Sequence, residues 1–590
     1  MSMQSYVSTL QGPAAEQTTQ MEPIPGRELE MVRNNAGGFT FVVSPWDRLD
    51  RFLILGSESG TYYASARSLT QDATKGVLEC IQMDGLRVVR RLVEVSSGGL
   101  APKNTSALFV LALAAKRGDL ATRQAAYAAL PKVARTGTHL FEWVQAIRAM
   151  KGFSSGAKRA VVRWYTQRSP HSLAYQLTKY KQRGGWSHRD VLRLTKPAGY
   201  DPESTLEGYL FAYMTGSVPA EDVLVPGIRN SHTYDYLTAV RRLADLDETG
   251  VPEACLLIEK YHLPREVVPT KLLNRPEIWE ALLPSMGVTA LLRNLGKMSA
   301  VRLLDTDYQD KPSNPLAYQQ VAAQLTDREV LRRGRVHPFQ VLLAARTYAQ
   351  GHGDRGKLSW SPDSGVIKYL DQSFLASMDA VQSTSTRYFL GVDISYSMST
   401  TIAGSSVSAM EAAVAMVLPT VKSHPSAQVY GFTLKEGTRG YGPNDTELTP
   451  IHFKVEYGLQ AALDLCRDLG RRMGTTDCSL PMEYALTHKI PVDVFVVYTD
   501  NETYAGRRAP SEALKAYREA MGIPARLIVV AFTATEFTIA DPEDAGMLDV
   551  VGLDASLPTL IQNFARGYQM APDTVEAETP ESDAWDHAEE

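Results

Sequence analysis

Three oxygen-bearing side chains stand at alternate positions in Asp393-Ile394-Ser395-Tyr396-Ser397, directly after the apolar run Tyr388-Phe389-Leu390-Gly391-Val392. One carboxylate and two hydroxyls are hard donors of the kind Mg²⁺ prefers, and Mg²⁺ keeps several waters when it binds. The apolar run lacks helical spacing, which predicts a buried, parallel strand. Ligands of open α/β sheets bind beyond the carboxyl ends of strands, where this Asp-x-Ser-x-Ser would lie. Two further stretches carry the same chemistry. Thr476 lies in Gly474-Thr475-Thr476-Asp477-Cys478, a loop entering a helix, and Asp500 ends a second apolar strand with the core Val494-Phe495-Val496-Val497-Tyr498. Asp393, Ser395, Ser397, Thr476 and Asp500 would together make a five-residue oxygen site. For the first three alone, a strand followed by a serine-rich turn is the plain alternative.

Catalysis is not expected from these residues. There is no second Asp at Asp-x-Asp spacing and no phosphate-binding loop of the Gly-x4-Gly-Lys-Ser/Thr type. Ser395 has no neighbouring base to activate it. The chain reads as a non-enzyme.

A second chemistry is electrostatic. Between Lys151 and Tyr200 there are 11 Lys and Arg residues and a single acid, Asp190. Trp164, Tyr165, Tyr175, Tyr180 and Trp186 are interleaved with them. Cations attract phosphates, and exposed aromatics stack on unpaired bases, so this stretch is a candidate RNA surface. The bland reading is a solvated face whose counter-charges sit on neighbouring helices. A second basic cluster holds Arg328, Arg332, Arg333, Arg335 and His337, then Arg346, His352, Arg355 and Lys357. His188 follows Ser187, a fitting N-cap. A helix N-terminus among cations attracts phosphate, although the residues alone favour a capping-turn histidine without a ligand.

The elements that must position these groups follow from the rest of the chain. With 590 residues, two or more domains are expected. A net charge of −5 argues against wholesale polyanion binding, though it can hide a local patch. The 4 cysteines show no Cys-x-x-Cys spacing, which fits a reducing compartment without zinc. No secretion signal and no bilayer-length apolar run is evident, so a cytoplasmic protein with no membrane association is expected. Residues 1–28 are polar and read as disordered. From about Asp72 to Gln350 amphipathic helices alternate with Gly, Pro or polar turns, which predicts an α-helical array built from hairpins. From Arg387 onward strands and helices alternate, which predicts a doubly wound, mainly parallel sheet. The domains are placed at 29–362 and 363–570. The tail 571–590 carries eight acids and no Lys or Arg, and reads as disordered.

The five oxygen residues resemble the metal-ion-dependent adhesion site of von Willebrand factor A domains. Longer stretches resemble the Ro autoantigen family of TROVE-domain RNA-binding proteins. They include NAGGF (Asn35–Phe39), RFLILGSESGTYY (Arg51–Tyr63), LTKYKQRGGWSHRDVLRL (Leu177–Leu194), GHGDRGKLSW (Gly351–Trp360), VFVVYTDNETYAG (Val494–Gly506) and FTIADPEDAGMLD (Phe537–Asp549). The resemblance implies a ring of HEAT-like repeats closed by the A domain. It implies small noncoding Y-like RNA on the outer face and single-stranded 3′ ends of misfolded RNA in the central hole. An exoribonuclease such as polynucleotide phosphorylase is an implied partner, in RNA quality control or decay, and a monomer is implied. Lys179, Lys181, Arg183, His188, Arg189 and Arg193 fall in the motif that resembles the RNA-contacting surface. By the same resemblance Ser395, Ser397 and Thr476 would ligate a divalent cation, expected to be Mg²⁺, through their hydroxyls. Asp393 and Asp500 would act through bound waters, and Asp477 would cap a helix. The competing function is a metal-dependent protein-adhesion module on a helical scaffold without an RNA role.

Overall fold

The computed structural model describes residues 19–565, apart from internal stretches of which 57–65, 218–230, 439–444 and 470–475 are the longest. The acidic tail 571–590 and most of the N-terminal segment 1–28 lie outside the described residues. The described part of that segment is ordered, contrary to the expected disorder. Gln20 is buried and hydrogen-bonded to the C-terminal domain.

Strands β1 (Met31–Arg33) and β2 (Phe39–Val42) form an antiparallel ribbon. A two-stranded ribbon alone is marginal in water. This one is completed by a strand of the C-terminal domain, Phe537–Thr538, which pairs with β2. Residues 31–42 therefore join the C-terminal domain by pairing, although the sequence assigns them to the helical one.

Helices begin at Pro45–Leu55, whose start is a capping box between Ser44 and Asp47. The long helix Ala66–Gly98 is broken at Asp84, whose carboxylate accepts the Arg87 amide at 2.8 Å and so caps the second half. After Thr105–Arg117, which has no side-chain cap, five helices are started by side-chain caps at Asp119, Thr136, Ser154, Ser169 and Ser187, each accepting an amide three residues on. Each helix packs mainly on near neighbours in sequence, as in a repeat array. The array also closes on itself. Arg335 Nε donates to Ser97 O at 3.0 Å, joining the turn before Pro338–Ala349 to the end of Ala66–Gly98. Within the array, β3 (Gln182–Arg183) and β4 (Trp186–Ser187) make a small hairpin ahead of the helix His188–Thr195.

The C-terminal domain is built on six strands: β5 (Tyr388–Val392), β6 (Gln428–Leu434), β7 (Thr446–Pro450), β8 (Val494–Thr499), β9 (Arg526–Ala531) and β11 (Met547–Val551), with β10 being Phe537–Thr538. The sheet order is β11-β9-β8-β5-β6-β7, parallel throughout except for β7. Strands β5 and β8 are buried on both faces, as their unbroken apolar runs require. Chain order reverses at β5, which lies between β6 and β8, so the crevice for a ligand opens at its carboxyl end.

The two halves are welded together. One apolar cluster runs from the array, with Phe339 and Val341, into the C-terminal domain, with Val417 and Val530. Arg51, 2% exposed, donates to Thr535 O at 2.8 Å and Phe537 O at 2.7 Å and pairs with Asp549. Arg346 pairs with Glu411 at 3.0 Å across the other end of the junction.

Candidate cation site and basic surface

Parallel register places Val392 opposite Tyr498, so Asp393 leaves β5 level with Thr499, and Asp500 follows one residue on from the adjacent strand. The Asp393 amide donates to Tyr498 O at 2.9 Å and carries the ladder one step past β5. The Asp393 carboxylate accepts the Ser395 amide at 2.8 Å and the Thr499 hydroxyl at 3.0 Å. The Ser395 and Ser397 hydroxyls lie 2.9 Å apart. Thr476 is hydrogen-bonded to Asp393, and Ser397 to Asp500. The Asp500 carboxylate also accepts the Glu502 amide at 3.0 Å. All five expected residues therefore converge, and all five are buried. Thr499 joins them unannounced; its only signal in the sequence is its place as the last strand residue before Asp500. Asp477 is not the cap of the helix Leu480–Thr487, whose N-cap is Ser479 without a side-chain cap bond; it makes a local turn instead. It accepts the Ser479 amide at 3.0 Å and the Ser479 hydroxyl at 2.6 Å, just ahead of the helix Leu480–Thr487.

Burial raises Asp393 above the usual carboxylate range, against hydrogen bonds from Ser395 that lower it. Asp500 is pushed well up by burial and then by the charges of Asp393 and Glu502. The described hydrogen-bond partners of the two carboxylates are hydroxyls and backbone amides, none a Lys or Arg. Two buried acids and three hydroxyls form a hard, negatively charged donor set that fits a divalent cation. Ser395, Ser397 and Thr476 would hold it directly, with Asp393 and Asp500 supplying charge. Such an ion offers Lewis acidity toward an acidic group on a partner. The Ser395 hydroxyl lies 2.9 Å from the Ser397 hydroxyl and is hydrogen-bonded to the Asp393 carboxylate.

The basic surface is carried by the end of Pro170–Lys179, the β3–β4 hairpin and His188–Thr195. Lys181, Arg183, Arg189 and Arg193 are exposed and Lys179 is half-buried. Among the described residues no carboxylate pairs with any of the five within ion-pair distance. Lys179 Nζ donates to Tyr175 Oη at 2.8 Å and lies over the rings of Tyr175 and Tyr180. A cleft of about 370 Å³ opens beside them, with Lys179, Lys181, Arg183 and Arg265 facing Tyr213 and Met214. It offers cations for phosphate and an apolar wall for a base.

His188 does not belong to that surface. It is fully buried, its Nδ1 2.9 Å from Tyr165 Oη and its ring 4.7 Å from the Phe141 ring. The helix does start there, with Ser187 and Asp190 forming a capping box. The first residue of this helix turns inward, under the packed helices, and leaves Arg189 and Arg193 outside. Burial lowers the His188 pKa to about 3, so it is neutral and presents no charge to a phosphate. Five members of the second basic cluster are spent on structure. Arg332 and Arg333 pair with Glu329 at 2.8 and 3.3 Å. Arg335 closes the array, Arg346 ties it to Glu411 of the C-terminal domain, and His337 is buried.

A closed helical array fused to an A-type α/β domain with an oxygen cluster at its switch point defines the class of protein. Residues 32–234 and 262–347 match the model of the TROVE domain, and residues 387–565 match that of the Ro60 vWA domain. RNA-binding protein RO60 of Deinococcus radiodurans is 39% identical over 91% of this chain and 95% of its own. RNA-binding protein RO60 of Caenorhabditis elegans is 32% identical over 95% of this chain and 94% of its own. The crystal structure of the Deinococcus radiodurans RO (RSR) protein superposes with a TM-score of 0.63 at 37% identity, covering 89% of this chain and 100% of that one. The chain belongs to the Ro60 family.

Proposed function

We propose that this chain is an RNA-binding protein that engages RNA through the face formed by Lys179, Lys181, Arg183, Arg189 and Arg193. The observation that carries this reading is the set of cations with no ion-pair partner among the described residues, beside a cleft lined by Tyr213, Met214 and Glu266. Elsewhere on the array Arg332 and Arg333 are paired with Glu329. The names of the two relatives, both RNA-binding proteins, support the same reading. On it, a small noncoding RNA of the Y type lies on this face, and a single-stranded 3′ end of a misfolded RNA passes through the closed array. The A domain carries Mg²⁺ at Asp393, Ser395, Ser397, Thr476 and Asp500 and holds a protein partner, an exoribonuclease for RNA decay among the candidates. The cation site organises binding and performs no bond cleavage.

An adhesion module without RNA would leave the five cations with no purpose, which weighs against it. Binding of a structured RNA with a single-stranded 3′ tail, compared with the same RNA blunt-ended, tests the proposal. Tight, tail-dependent binding is expected. Weak binding of both would overturn it and turn the search to acidic protein partners of the Asp393 site.

A further inference from the structure

We propose that Gln20 is a positioning residue of the cation site, through which the N-terminal hairpin holds the Thr476 loop against the loop that follows Asp500. The proposal rests on the reading of the Asp393 cluster as a cation site. Four of the five oxygen residues are anchored by strands: Asp393, Ser395 and Ser397 leave β5, and Asp500 leaves β8, in parallel register. Thr476 comes from no strand. Its place depends on bonds between loops. Tyr504 and Ala505 amides both donate to Thr476 O at 3.2 Å, and the Cys478 amide donates to Thr503 Oγ1 at 3.2 Å.

Gln20 closes this arrangement from outside. Its Nε2 donates to Asp477 Oδ1 at 2.8 Å and to Arg508 O at 2.9 Å, and its Oε1 accepts from Thr503 Oγ1 at 2.5 Å. Its backbone amide donates to Gly506 O at 3.1 Å and its carbonyl accepts the Phe39 amide at 2.7 Å. One side chain, 2% exposed, thus bonds the residue after Thr476, the loop after Asp500 and, through its backbone, the β1–β2 hairpin. The hairpin adds Asn34 Nδ2 to Thr503 O at 2.8 Å and the Ala36 amide to Glu502 Oε2 at 3.0 Å. Backbone approach is close enough to require glycine twice. A Cβ on Gly506 would collide with the Gln20 amide, and one on Gly38 with Thr503 O. Groups that orient ligands from behind tune metal affinity, and their loss commonly weakens it tenfold or more.

The test uses the full chain with Gln20→Met, which keeps the bulk and removes both ends of the amide. Thr503→Val removes one of the same bonds from the other side. Arg27→Ala is the control, since Arg27 ties the hairpin to Asp541, outside the two loops. Mn²⁺ affinity is read by electron paramagnetic resonance, and amide exchange by mass spectrometry over residues 476–506. Gln20→Met is expected to bind Mn²⁺ about tenfold more weakly, with faster exchange at Cys478, Tyr504 and Ala505. Arg27→Ala is expected to match the wild type in both. The double variant should lose less than the sum of the two single losses, because the Gln20–Thr503 bond is counted in both. Unchanged Mn²⁺ affinity and unchanged exchange in folded Gln20→Met would overturn the proposal. A wild-type chain that binds no Mn²⁺ would overturn the cation reading, and the positioning role with it. The exchange data separate these failures, because they report the loop contacts without the ion.

Discussion

Asp393 shows how one residue can be charged with two tasks. Its amide continues the β5 ladder, and its carboxylate organises Ser395, Thr499 and Thr476. Asp393→Ala is expected to abolish Mn²⁺ binding while leaving RNA affinity within about twofold, because the basic face lies on the helical array. A large loss of RNA affinity in a folded variant would show the two sites to be coupled. His188 carries a different prediction. Burial lowers its pKa to about 3, as it does those of His139 and His337. Between the unfolded value near 6.5 and 3 the unfolded chain binds the extra proton, so stability falls as pH falls, by up to about 1.4 kcal/mol per pH unit for each histidine. Asp477, pushed up to about 6 by burial, works in the opposite sense, since the native state then holds its proton. The clean readout is therefore a difference. His188→Gln should be less stable than wild type at pH 7.5 yet lose less on acidification to pH 5, measured by denaturant unfolding. Parallel pH profiles would contradict this account of the buried imidazole.

At the scale of elements, legibility followed periodicity and caps. The helices Gly137–Ala149, Ser155–Thr166 and Pro338–Ala349 lie within the stretch that reads as an amphipathic helical array, and the strands β5 and β8 coincide with the two apolar runs. Both strands announce themselves as apolar runs ending in Asp, and the cation cluster follows because parallel register aligns those ends. Three things were not legible. The β1–β2 ribbon has no independent core, so its meaning lies in a pairing with Phe537–Thr538 some 500 residues away. The inward turn of His188 is set by the packing of Phe141, Trp164 and Tyr165, which local sequence does not reveal. Gln20 sits in a polar stretch whose composition resembles a disordered tail, and its role comes from the loops it meets. Composition reports whether a segment can build its own core, and is silent about a segment docked on another.

On the scale of the whole molecule, the two halves divide the work without being separable bodies. A continuous apolar core and the buried Arg51 hold the A domain across the array. Charge is partitioned as well. In a chain of net charge −5, Lys179, Lys181, Arg183, Arg189 and Arg193 have no ion-pair partner among the described residues, while Arg332, Arg333 and Arg346 are consumed by ion pairs. If the basic face binds phosphates, it must release counterions, and each lost contact must lower the salt slope. The most direct measurement is a salt titration of RNA affinity for the wild type, for Lys179→Ala/Lys181→Ala/Arg183→Ala, and for Arg332→Ala/Arg333→Ala as the control. The account predicts weaker binding in the triple variant, with a log–log slope shallower by about 2 to 3, and a control indistinguishable from wild type. Equal affinity and slope in the triple variant would contradict it and remove this face from the RNA site.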